Sequence, residues 1–281
     1  MEETKTVLLF DIDGTLTAPR ELICDTMSQA LSDLNIPFHV AAGSNMDLVE
    51  PQLLKPLYEH GFRKDFHAFV NNGSAHFGCA FSKAYELKPL GAFDFEAHLG
   101  SADFEFLMAE LGNAMKLPEF ALPALVNVMG DQVKHRGSMV NFSPSGRPNA
   151  GVLNDAALKN RKAFVTFDKA NSYRNKLVDF LESRLGRLMN EKHLKIMLGG
   201  ETSFDIVIHG QDKTAPVRWL LEKGVEEIVF IGDALFPGGN DSVVQDFVDS
   251  WNKDKKCPVV TISVESWQET LSVLRSRDWI K

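Results

Sequence analysis

Two carboxylates separated by one residue end the first apolar segment of the chain. Residues 7–10 are Val-Leu-Leu-Phe, and Asp11 and Asp13 follow at once. Because side chains alternate along a strand, these two carboxylates can point to the same side. Two carboxylates this close repel each other, so one of them would take up a proton unless a cation lies between them. Oxygen ligands favour Mg²⁺, and Asp233, which follows the apolar segment 226–232, is a candidate third ligand.

The residues around this pair decide between a site and a simple turn. An Asp-x-Asp pair alone is more often a turn or a helix cap. Here the pair belongs to a longer segment, DIDGTLT, in which Gly14 lets the backbone turn sharply and Thr15 adds a hydroxyl. A second polar segment, GDALFPGGND, runs from Gly232 to Asp241. Its GGND end would be a bare turn in isolation, but after Asp233 we interpret it as part of a metal site.

Short apolar segments alternate with amphipathic segments at both ends of the chain. The predicted strands are 7–10, 38–42, 67–70, 226–232 and 257–263. The predicted helices are 24–34, 214–224 and 267–277. This alternation predicts an α/β fold in which a parallel sheet carries helices on both faces. Ligands bind beyond the carboxyl ends of the strands in such sheets, which is where Asp11 and Asp233 stand.

The middle of the chain has a different pattern. Residues 98–115 and 173–189 show helical periodicity, and residues 138–143, 162–167 and 203–208 are strand-like. We therefore predict an inserted α+β domain over residues 90–209. The catalytic core would then consist of residues 1–89 and 210–281.

Composition excludes some classes of protein. The 281 residues carry a net charge of −8, which argues against a broad nucleic-acid-binding surface. The N-terminal apolar stretch ends at Asp11, so it predicts neither a signal peptide nor a membrane span. Cys24, Cys79 and Cys257 are widely spaced and odd in number, which predicts reduced thiols and a cytoplasmic protein without a membrane partner.

The core motifs resemble those of the haloacid dehalogenase (HAD) superfamily of phosphoryl-transfer enzymes. DIDGTLT resembles the nucleophile motif, and Ser44, Lys213 and the Gly232-Asp233 pair resemble the other three motifs in their usual order. The resemblance implies a Rossmann-like core with a cap domain.

The same resemblance implies a role for each of these residues. Asp11 would attack phosphorus and form an aspartyl-phosphate, and Asp13 would transfer protons at the sugar oxygen. Ser44 and Lys213 would hold the transferred phosphoryl group. The metal ligands implied are Asp11, Asp13, Asp233 and Asp241.

The inserted region carries candidate ligands for a sugar phosphate. Arg136 and Arg147 flank a segment rich in turn-forming residues, and arginine suits bidentate contact with phosphate oxygens. Ser203 and Asp205 lie two residues apart and could face one sugar from one strand. Each of these residues, taken singly, is more simply a solvated loop or strand residue.

Taken together, these segments resemble the eukaryotic-type α-phosphomannomutase family. The resemblance covers nearly the whole chain. In the inserted region it rests on the eleven-residue spacing from Arg136 to Arg147, which ends NFSPSGR, and on Arg161, seven residues before Asp168-Lys169. It also rests on the segment GGETSFD at 199–205. In the core it rests on GDALFPGGND and on Arg20, which follows the nucleophile motif. It implies that Arg20, Arg136, Arg147, Arg161, Ser203 and Asp205 bind the substrate.

The implied function is interconversion of mannose 6-phosphate and mannose 1-phosphate. It would proceed through phosphorylated Asp11 and a hexose 1,6-bisphosphate, which would also prime the enzyme, with Mg²⁺ as cofactor. The family resemblance further implies a homodimer formed through the cap. Two alternatives stay open. Water reaching the aspartyl-phosphate would make the protein a Mg²⁺-dependent sugar-phosphate phosphatase, and loss of chemistry would leave a sugar-phosphate binder.

Three positions depart from the family pattern. The segment between Arg147 and Arg161 is about seven residues longer than the family pattern predicts. Asn71 stands where a glutamate is expected, and Asn45 stands where an aspartate is expected after the serine. The longer segment bears on the role of Arg161, and the two asparagines bear on phosphate or hinge contacts.

Overall fold

The chain folds into two units that follow the discontinuous order of its sequence. The computed structural model describes residues 6–148, 154–251 and 258–280. One unit, the core unit, contains Met1–Ala92 and Gly210–Lys281, and the other, the inserted unit, contains Phe93–His209.

A seven-stranded sheet forms the centre of the core unit. Its strands are β1 Thr6–Phe10, β2 Phe38–Ala41, β3 Phe66–Val70, β4 Ala75–Cys79, β5 Leu87–Ala92, β10 Glu227–Gly232 and β11 Val259–Ser263. Their order in the sheet is β11-β10-β1-β2-β3-β4-β5. The first five strands of that order are parallel, and β4 and β5 continue the sheet antiparallel. The five strands predicted from the sequence are the five parallel ones. The two antiparallel strands, β4 and β5, were not predicted from the sequence.

Helices pack against this sheet from segments with helical periodicity. They are α1 Asp25–Asp33, α2 Met46–Val49, a π-helix Glu50–Leu54, α3 Lys55–Glu59, α8 Thr214–Glu222, α9 Ser242–Asp249 and α10 Trp267–Ser276. Leu8, Phe10 and Val40 of the strands are fully buried in one apolar cluster with residues of α1 and α10, such as Leu31 and Leu274.

The inserted unit has its own sheet and its own core. Its strands are β6 Asp131–His135, β7 Val140–Arg147, β8 Leu194–Gly199 and β9 Ser203–Ile208, in the antiparallel order β6-β7-β9-β8. Its helices are α4 Phe95–Leu99, α5 Ser101–Ala114, a 3₁₀ turn Pro118–Phe120, α6 Asp155–Asn171 and α7 Tyr173–Lys192. Phe142, Phe164, Leu181 and Phe204 lie in a separate apolar cluster.

The prediction of a strand at residues 162–167 is wrong. These residues belong to α6, whose buried positions Ala157, Asn160, Phe164 and Asp168 recur every three or four residues. The side chain of Asn154 caps this helix by accepting a hydrogen bond from the Ala157 N–H at 2.9 Å. Phe, Val and Thr favour strands locally, but here the burial of one helical face determines the outcome.

The fold class predicted from the sequence is confirmed, because a parallel sheet with flanking helices carries an inserted α+β unit. Within residues 6–148, 154–251 and 258–280, no helix combines the length and the apolar character needed to cross a membrane. Cys24 and Cys79 are both free thiols. Cys257 lies outside the described residues.

Candidate active site

Three aspartates meet at the carboxyl ends of the two central strands. β1 pairs with β10 so that Phe10 lies opposite Ile231, and the Asp11 N–H donates to the Ile231 carbonyl at 2.9 Å. This register brings the residue after each strand to the same edge of the sheet. One carboxylate oxygen from each of Asp11, Asp233 and Asp241 lies within 4.8 Å of the other two. Among the described residues, this is the group of acidic, histidine or cysteine side chains close enough to share a metal ion.

A buried lysine contacts two of these aspartates. Lys213 immediately precedes α8, and its Nζ donates to Asp11 Oδ1 at 2.6 Å and to Asp241 Oδ1 at 2.5 Å. The Lys213 and Asp241 side chains are fully inaccessible, and that of Asp11 is 7% exposed. When all four groups are ionised, three carboxylates and one ammonium leave an excess of negative charge in a buried place. Such an excess is costly unless a cation balances it.

The pKa values in the cluster express this imbalance. Burial raises the pKa of Asp11 well above its usual value, Lys213 opposes the shift, and Asp241 and Asp233 add to it. Burial, and then the charge of Asp241, raises the pKa of Asp233 to about 6. Burial alone would lower the pKa of Lys213, but Asp11 and Asp241 raise it above its usual value. The lysine therefore stays charged, and the carboxylates favour a further positive partner.

Two glycines make room for the carboxylates beside the backbone. A Cβ on Gly14 would lie 2.4 Å from Asp233 Oδ2, and a Cβ on Gly232 would lie 2.4 Å from Asp241 Oδ2. Gly14 also has φ +82°, a conformation that disfavours side chains. Each of these glycines is therefore required by the close approach of an aspartate, Gly14 by Asp233 of the second motif and Gly232 by Asp241 of its own motif.

The all-oxygen donor set of this cluster fits Mg²⁺. Carboxylate oxygens are the protein ligands that this ion prefers, and its charge would offset the excess negative charge of Asp11, Asp233 and Asp241. Asp13 is not a member of the cluster. The prediction that Asp13 is a metal ligand is therefore not supported by its position, because its carboxylate is not grouped with those of Asp11, Asp233 and Asp241.

Asp13 has different partners. Its Oδ1 accepts hydrogen bonds from the backbone N–H of Arg20 and from Gln52 Nε2, both at 2.7 Å. Gln52 Nε2 also donates to Thr17 Oγ1 at 2.9 Å, and the Gln52 residue is only 7% exposed. Gln52 lies in the π-helix, a deformation that is frequent at functional sites. Sequence analysis missed Gln52 because its contact with Asp13 spans 39 residues.

The remaining core candidates stand at neighbouring strand ends. Ser44 follows β2, and its carbonyl accepts a hydrogen bond from the Asn71 N–H at 2.9 Å. Asn71 and Asn72 follow β3 with positive φ values of 52° and 56°. Asn240 Nδ2 donates to Asn72 Oδ1 at 3.2 Å, which ties this turn to the GGND segment. Backbone strain of this kind is common at functional sites.

In the inserted unit, one turn collects several of the candidate substrate ligands. Arg147 donates from one terminal nitrogen to Ser203 Oγ at 2.7 Å. Arg161, on α6, contacts Glu201 Oε2 at 3.1 and 3.2 Å and Thr202 Oγ1 at 3.3 Å. Both arginines therefore contact residues 201–203, between β8 and β9. Glu201 and Thr202 were not predicted as site residues, because nothing in their local sequence indicates these partners.

Asp205 and Arg136 are placed differently. Asp205 lies opposite Asn141 in the β7–β9 pair, and its Oδ1 accepts a hydrogen bond from Asn141 Nδ2 at 2.7 Å. Arg136 follows β6, and its backbone N–H donates to the Met139 carbonyl at 2.8 Å. The β6–β7 pair has this turn at one end and Arg147 opposite Asp131 at the other. A phosphate-binding role for Arg136 stays a prediction.

Fold and site together define an enzyme with a parallel-sheet core and an inserted α+β unit. Two solved structures share the fold at low identity. An IMP-bound IMP-nucleotidase from Plasmodium falciparum has a TM-score of 0.60 and 14% identity, with 96% of this chain and 66% of that chain covered. Thermoplasma acidophilum 0175 has a TM-score of 0.53 and 16% identity, with 98% and 99% covered.

The chain belongs to the eukaryotic phosphomannomutase family, whose sequence model matches residues 26–274. Among its curated relatives is a phosphomannomutase from Dendrobium officinale, which is 31% identical over 84% of this chain and 82% of the relative. Phosphomannomutase 1 from Dictyostelium discoideum is 29% identical over 84% of this chain and 85% of that protein. The family resemblance inferred from the sequence is confirmed.

Proposed function

We propose that this protein interconverts mannose 6-phosphate and mannose 1-phosphate through phosphorylated Asp11 and a hexose 1,6-bisphosphate. The observation that carries the proposal is the buried cluster of Asp11, Asp233 and Asp241 with Lys213. Membership of the phosphomannomutase family and the names of the curated relatives support the choice of substrate.

The first half-reaction moves the phosphoryl group between the sugar and Asp11. In the forward direction a sugar hydroxyl attacks the phosphorus of phospho-Asp11. The new sugar O–P bond forms, the Asp11 O–P bond breaks, and the hydroxyl proton passes to Asp13. The hexose 1,6-bisphosphate then turns round in the site, and Asp11 attacks the phosphorus at its other end. The bond from that phosphorus to the sugar oxygen breaks, Asp11 is phosphorylated again, and Asp13 returns the proton to the released sugar oxygen. The free Asp11 of the resting enzyme is phosphorylated by a hexose 1,6-bisphosphate primer.

The neighbouring residues support these steps by position and charge. Lys213, already 2.6 Å from Asp11 Oδ1, would neutralise a phosphoryl oxygen as a compact positive charge. Gln52 and the Arg20 N–H hold one oxygen of Asp13 and leave the other for the sugar. Mg²⁺ held by Asp11, Asp233 and Asp241 would screen the charge between nucleophile and phosphate. Ser44 would donate to the transferred group.

The inserted unit would supply the substrate-binding half of the reaction. We propose that Arg136, Arg147 and Arg161 bind the phosphate that is not being transferred, and that Ser203 and Asp205 orient the sugar. The contacts of Arg147 and Arg161 with residues 201–203 support this assignment. Exclusion of water by this unit, acting as a cap, would preserve phospho-Asp11 for the sugar.

Product analysis tests the proposal. The protein is incubated with mannose 1-phosphate, Mg²⁺ and a hexose 1,6-bisphosphate, and mannose 6-phosphate and free phosphate are both quantified. We expect mannose 6-phosphate with little free phosphate. Free phosphate without mannose 6-phosphate would instead establish the phosphatase alternative. A parallel incubation with glucose 1-phosphate measures the preference for the hexose.

Substitution of the nucleophile tests the chemistry itself. Asp11→Asn should lower kcat by at least about 10³-fold, because a carboxamide cannot form the acyl phosphate. Asp33→Asn, on the exposed side of α1, is the control and should keep full turnover. Unchanged turnover by Asp11→Asn would leave the protein as a sugar-phosphate binder with an unrelated contaminating activity.

We further propose a cytoplasmic homodimer formed through the inserted unit. Free Cys24 and Cys79 are consistent with a reducing compartment, and burial raises the pKa of Cys79 to about 12. Exposed apolar side chains on the inserted unit, Leu125, Val128 and Leu158, provide a surface that a second copy could cover.

A further inference from the structure

The turn between β8 and β9 accepts hydrogen bonds from an arginine, Arg174, that the sequence analysis did not predict as a site residue. This turn, Gly200–Thr202, has Gly200 at φ +52° and is followed by Ser203 at the start of β9. Side chains of Glu201, Thr202 and Ser203 contact Arg161 and Arg147. Two backbone carbonyls at the same place, those of Gly200 and Ser203, accept hydrogen bonds from Arg174.

Arg174 joins three segments of the inserted unit. A terminal nitrogen of Arg174 donates to the Gly200 carbonyl at 2.9 Å and to the Ser203 carbonyl at 3.3 Å. Its Nε donates to Asp168 Oδ2 and its backbone N–H to Asp168 Oδ1, both at 2.7 Å. The first turn of α7 is thereby tied to the end of α6 and to the β8–β9 turn.

Burial makes these contacts stronger than an ordinary surface ion pair. The side chains of Arg174 and Asp168 are 13% and 10% exposed. Exposed ion pairs contribute little to stability because water and salt screen them. Hydrogen bonds between charged groups that are largely buried, as here, are shorter and stronger than those between neutral groups. The planar guanidinium can satisfy the carboxylate and both carbonyls at once, which a lysine ammonium at the same place could not do in one geometry.

We propose that Arg174 is a positioning residue for substrate binding: it fixes the β8–β9 turn so that Ser203 and Thr202 hold Arg147 and Arg161 in place for a phosphate. The inference rests on the proposed function, because it assigns a task to the same phosphate-binding arginines. Arg174 acts through the turn. Without Arg174 the chain still contains Arg147 and Arg161, but the turn that contacts them is no longer held by hydrogen bonds to its Gly200 and Ser203 carbonyls.

The matched control is a second arginine on the same helix. Arg184 also pairs with a buried carboxylate, since its Nε donates to Glu110 Oε2 at 2.7 Å, but Glu110 lies on α5 and not in the turn. Arg184→Ala therefore removes an arginine ion pair from α7 without touching residues 200–203. A general loss of helix packing would affect both variants alike.

Steady-state kinetics separates positioning from folding. With mannose 1-phosphate and a bisphosphate primer, Arg174→Ala should raise KM about tenfold, as expected for the loss of charged hydrogen bonds, with kcat changed less than about twofold. Arg174→Lys should recover part of the loss, and Arg184→Ala should keep the wild-type KM. Hydrolysis of para-nitrophenyl phosphate, which has no second phosphate, should be the same in all four proteins. Equal KM values for Arg174→Ala and the wild type would overturn the inference.

A double-mutant comparison tests the route through the turn. Arg174→Ala and Ser203→Ala should each raise KM, and together they should raise it by less than the product of the two effects, because both loosen the same support. Independent, multiplicative effects would contradict positioning through the turn.

Binding measurements keep this inference distinguishable from the proposed function. Calorimetric titration with mannose 1-phosphate in the absence of Mg²⁺ needs no turnover, so it applies even if the wild type proves to be a phosphatase. Weaker binding by Arg174→Ala than by Arg184→Ala supports the positioning role whatever the reaction. No binding by the wild type, or equal binding by both variants, overturns it.

Discussion

Single residues at the strand ends account for most of the proposed chemistry. Asp11, Asp233 and Asp241 share one cluster, and two of them, Asp233 and Asp241, approach Gly14 and Gly232 so closely that a side chain could not fit there. The glycines of the two core motifs therefore belong to the site as much as the acids do. Their role can be measured separately from catalysis.

Gly14→Ala should destabilise the protein by more than its backbone conformation alone requires. The left-handed backbone costs about 1–2 kcal/mol for a residue with a Cβ. The approach of Asp233 Oδ2, at 2.4 Å from the added atom, should add a further cost of about 1–3 kcal/mol. Gly61→Ala is the matched control, since Gly61 has φ +90° but nothing within 4 Å of its Cβ. Urea unfolding of both variants gives the difference, and equal losses would mean that the Asp233 side chain simply moves away.

The sequence predicted the acids, the lysine and the arginines because their motifs are local. Gln52, Glu201, Thr202 and Arg174 were not predicted, because their roles depend on partners 26 to 41 residues away in the chain. Such contacts exist only once the helices and strands have packed.

At the scale of elements, a short irregular helix positions one residue of the candidate site. The π-helix at Glu50–Leu54 has Pro51 in its first turn and directs Gln52 toward Asp13 and Thr17. A regular helix through the same residues would rotate the side chains that follow the extra residue. The irregular winding is therefore what fixes one oxygen of Asp13.

Gln52→Leu should lower kcat about tenfold, since Asp13 keeps the Arg20 N–H but loses its other donor, and general acid–base catalysis as a whole contributes about 10²–10⁴-fold. KM should change little. Gln29→Leu removes a comparable side-chain donor from exposed Asp33 on α1 and serves as the control. An unchanged kcat in Gln52→Leu would show that the backbone N–H alone orients Asp13.

Three histidines form a second feature at the scale of elements. His39, His67 and His76 come from β2, β3 and β4 and pack around Trp219 of α8, with ring centroids 4.7 to 6.0 Å from the indole. His67 Nδ1 lies 2.9 Å from His76 Nε2. The backbone N–H of His67 donates a hydrogen bond to His39 Nδ1 at 3.1 Å. Burial, and then the neighbouring histidines, lowers the pKa of His39 to about 3 and that of His76 to about 4.

These shifts predict a loss of stability in acid. A histidine with a pKa below its unfolded value binds its proton more readily after unfolding, so the free energy of unfolding falls as pH drops below about 6.5. His39 alone should account for about 2 kcal/mol between pH 6.5 and 5.0. His39→Asn keeps an acceptor for the His67 N–H without a titratable group, and it should lose correspondingly less stability over that range. Urea unfolding at the two pH values measures the change in the free energy of unfolding. His98→Asn, at an exposed position of α4, is the control. Identical pH dependence in the His39 variant and the wild type would contradict the assignment.

Elements with long, regular burial patterns were predictable, and others were not. The five parallel strands and helices α1, α7, α8 and α10 follow their apolar periodicity closely. Residues 162–167 were misassigned because four consecutive β-favouring residues, 164–167, resemble a strand when they are considered without the rest of the amphipathic helix. β4 and β5 were missed because β5 is mostly exposed and contains Pro89 and Gly91. Pairing with an already formed sheet, rather than local preference, makes it a strand.

At the scale of the whole molecule, one interrupted chain builds two cores, and the proposed function places the chemistry on one and substrate choice on the other. The core unit carries the acids and Lys213, and the inserted unit carries most of the candidate arginines and its own apolar cluster. Each can therefore vary in sequence without disturbing the interior of the other.

The proposed dimer belongs to this scale. Leu125 is 81% exposed and Val128 is 54% exposed on the inserted unit. If a second copy covers them, sedimentation should show a dimer of about twice 31.3 kDa, and Leu125→Glu should shift it toward the monomer by burying an unpaired charge. Leu22→Glu, at an exposed apolar position in the core unit, is the control. A monomeric wild type would exclude the dimer.

The pairing of Lys213 with Asp11 joins residues 202 positions apart. A ribosome must therefore complete nearly the entire polypeptide before nucleophile, lysine and both later aspartates exist together. A product terminated before residue 241 would lack one of the three clustered aspartates, while its inserted unit, Phe93–His209, would already have every side chain of its own interior. Under the proposed mechanism, synthesis therefore delays reactivity until Asp241 has emerged.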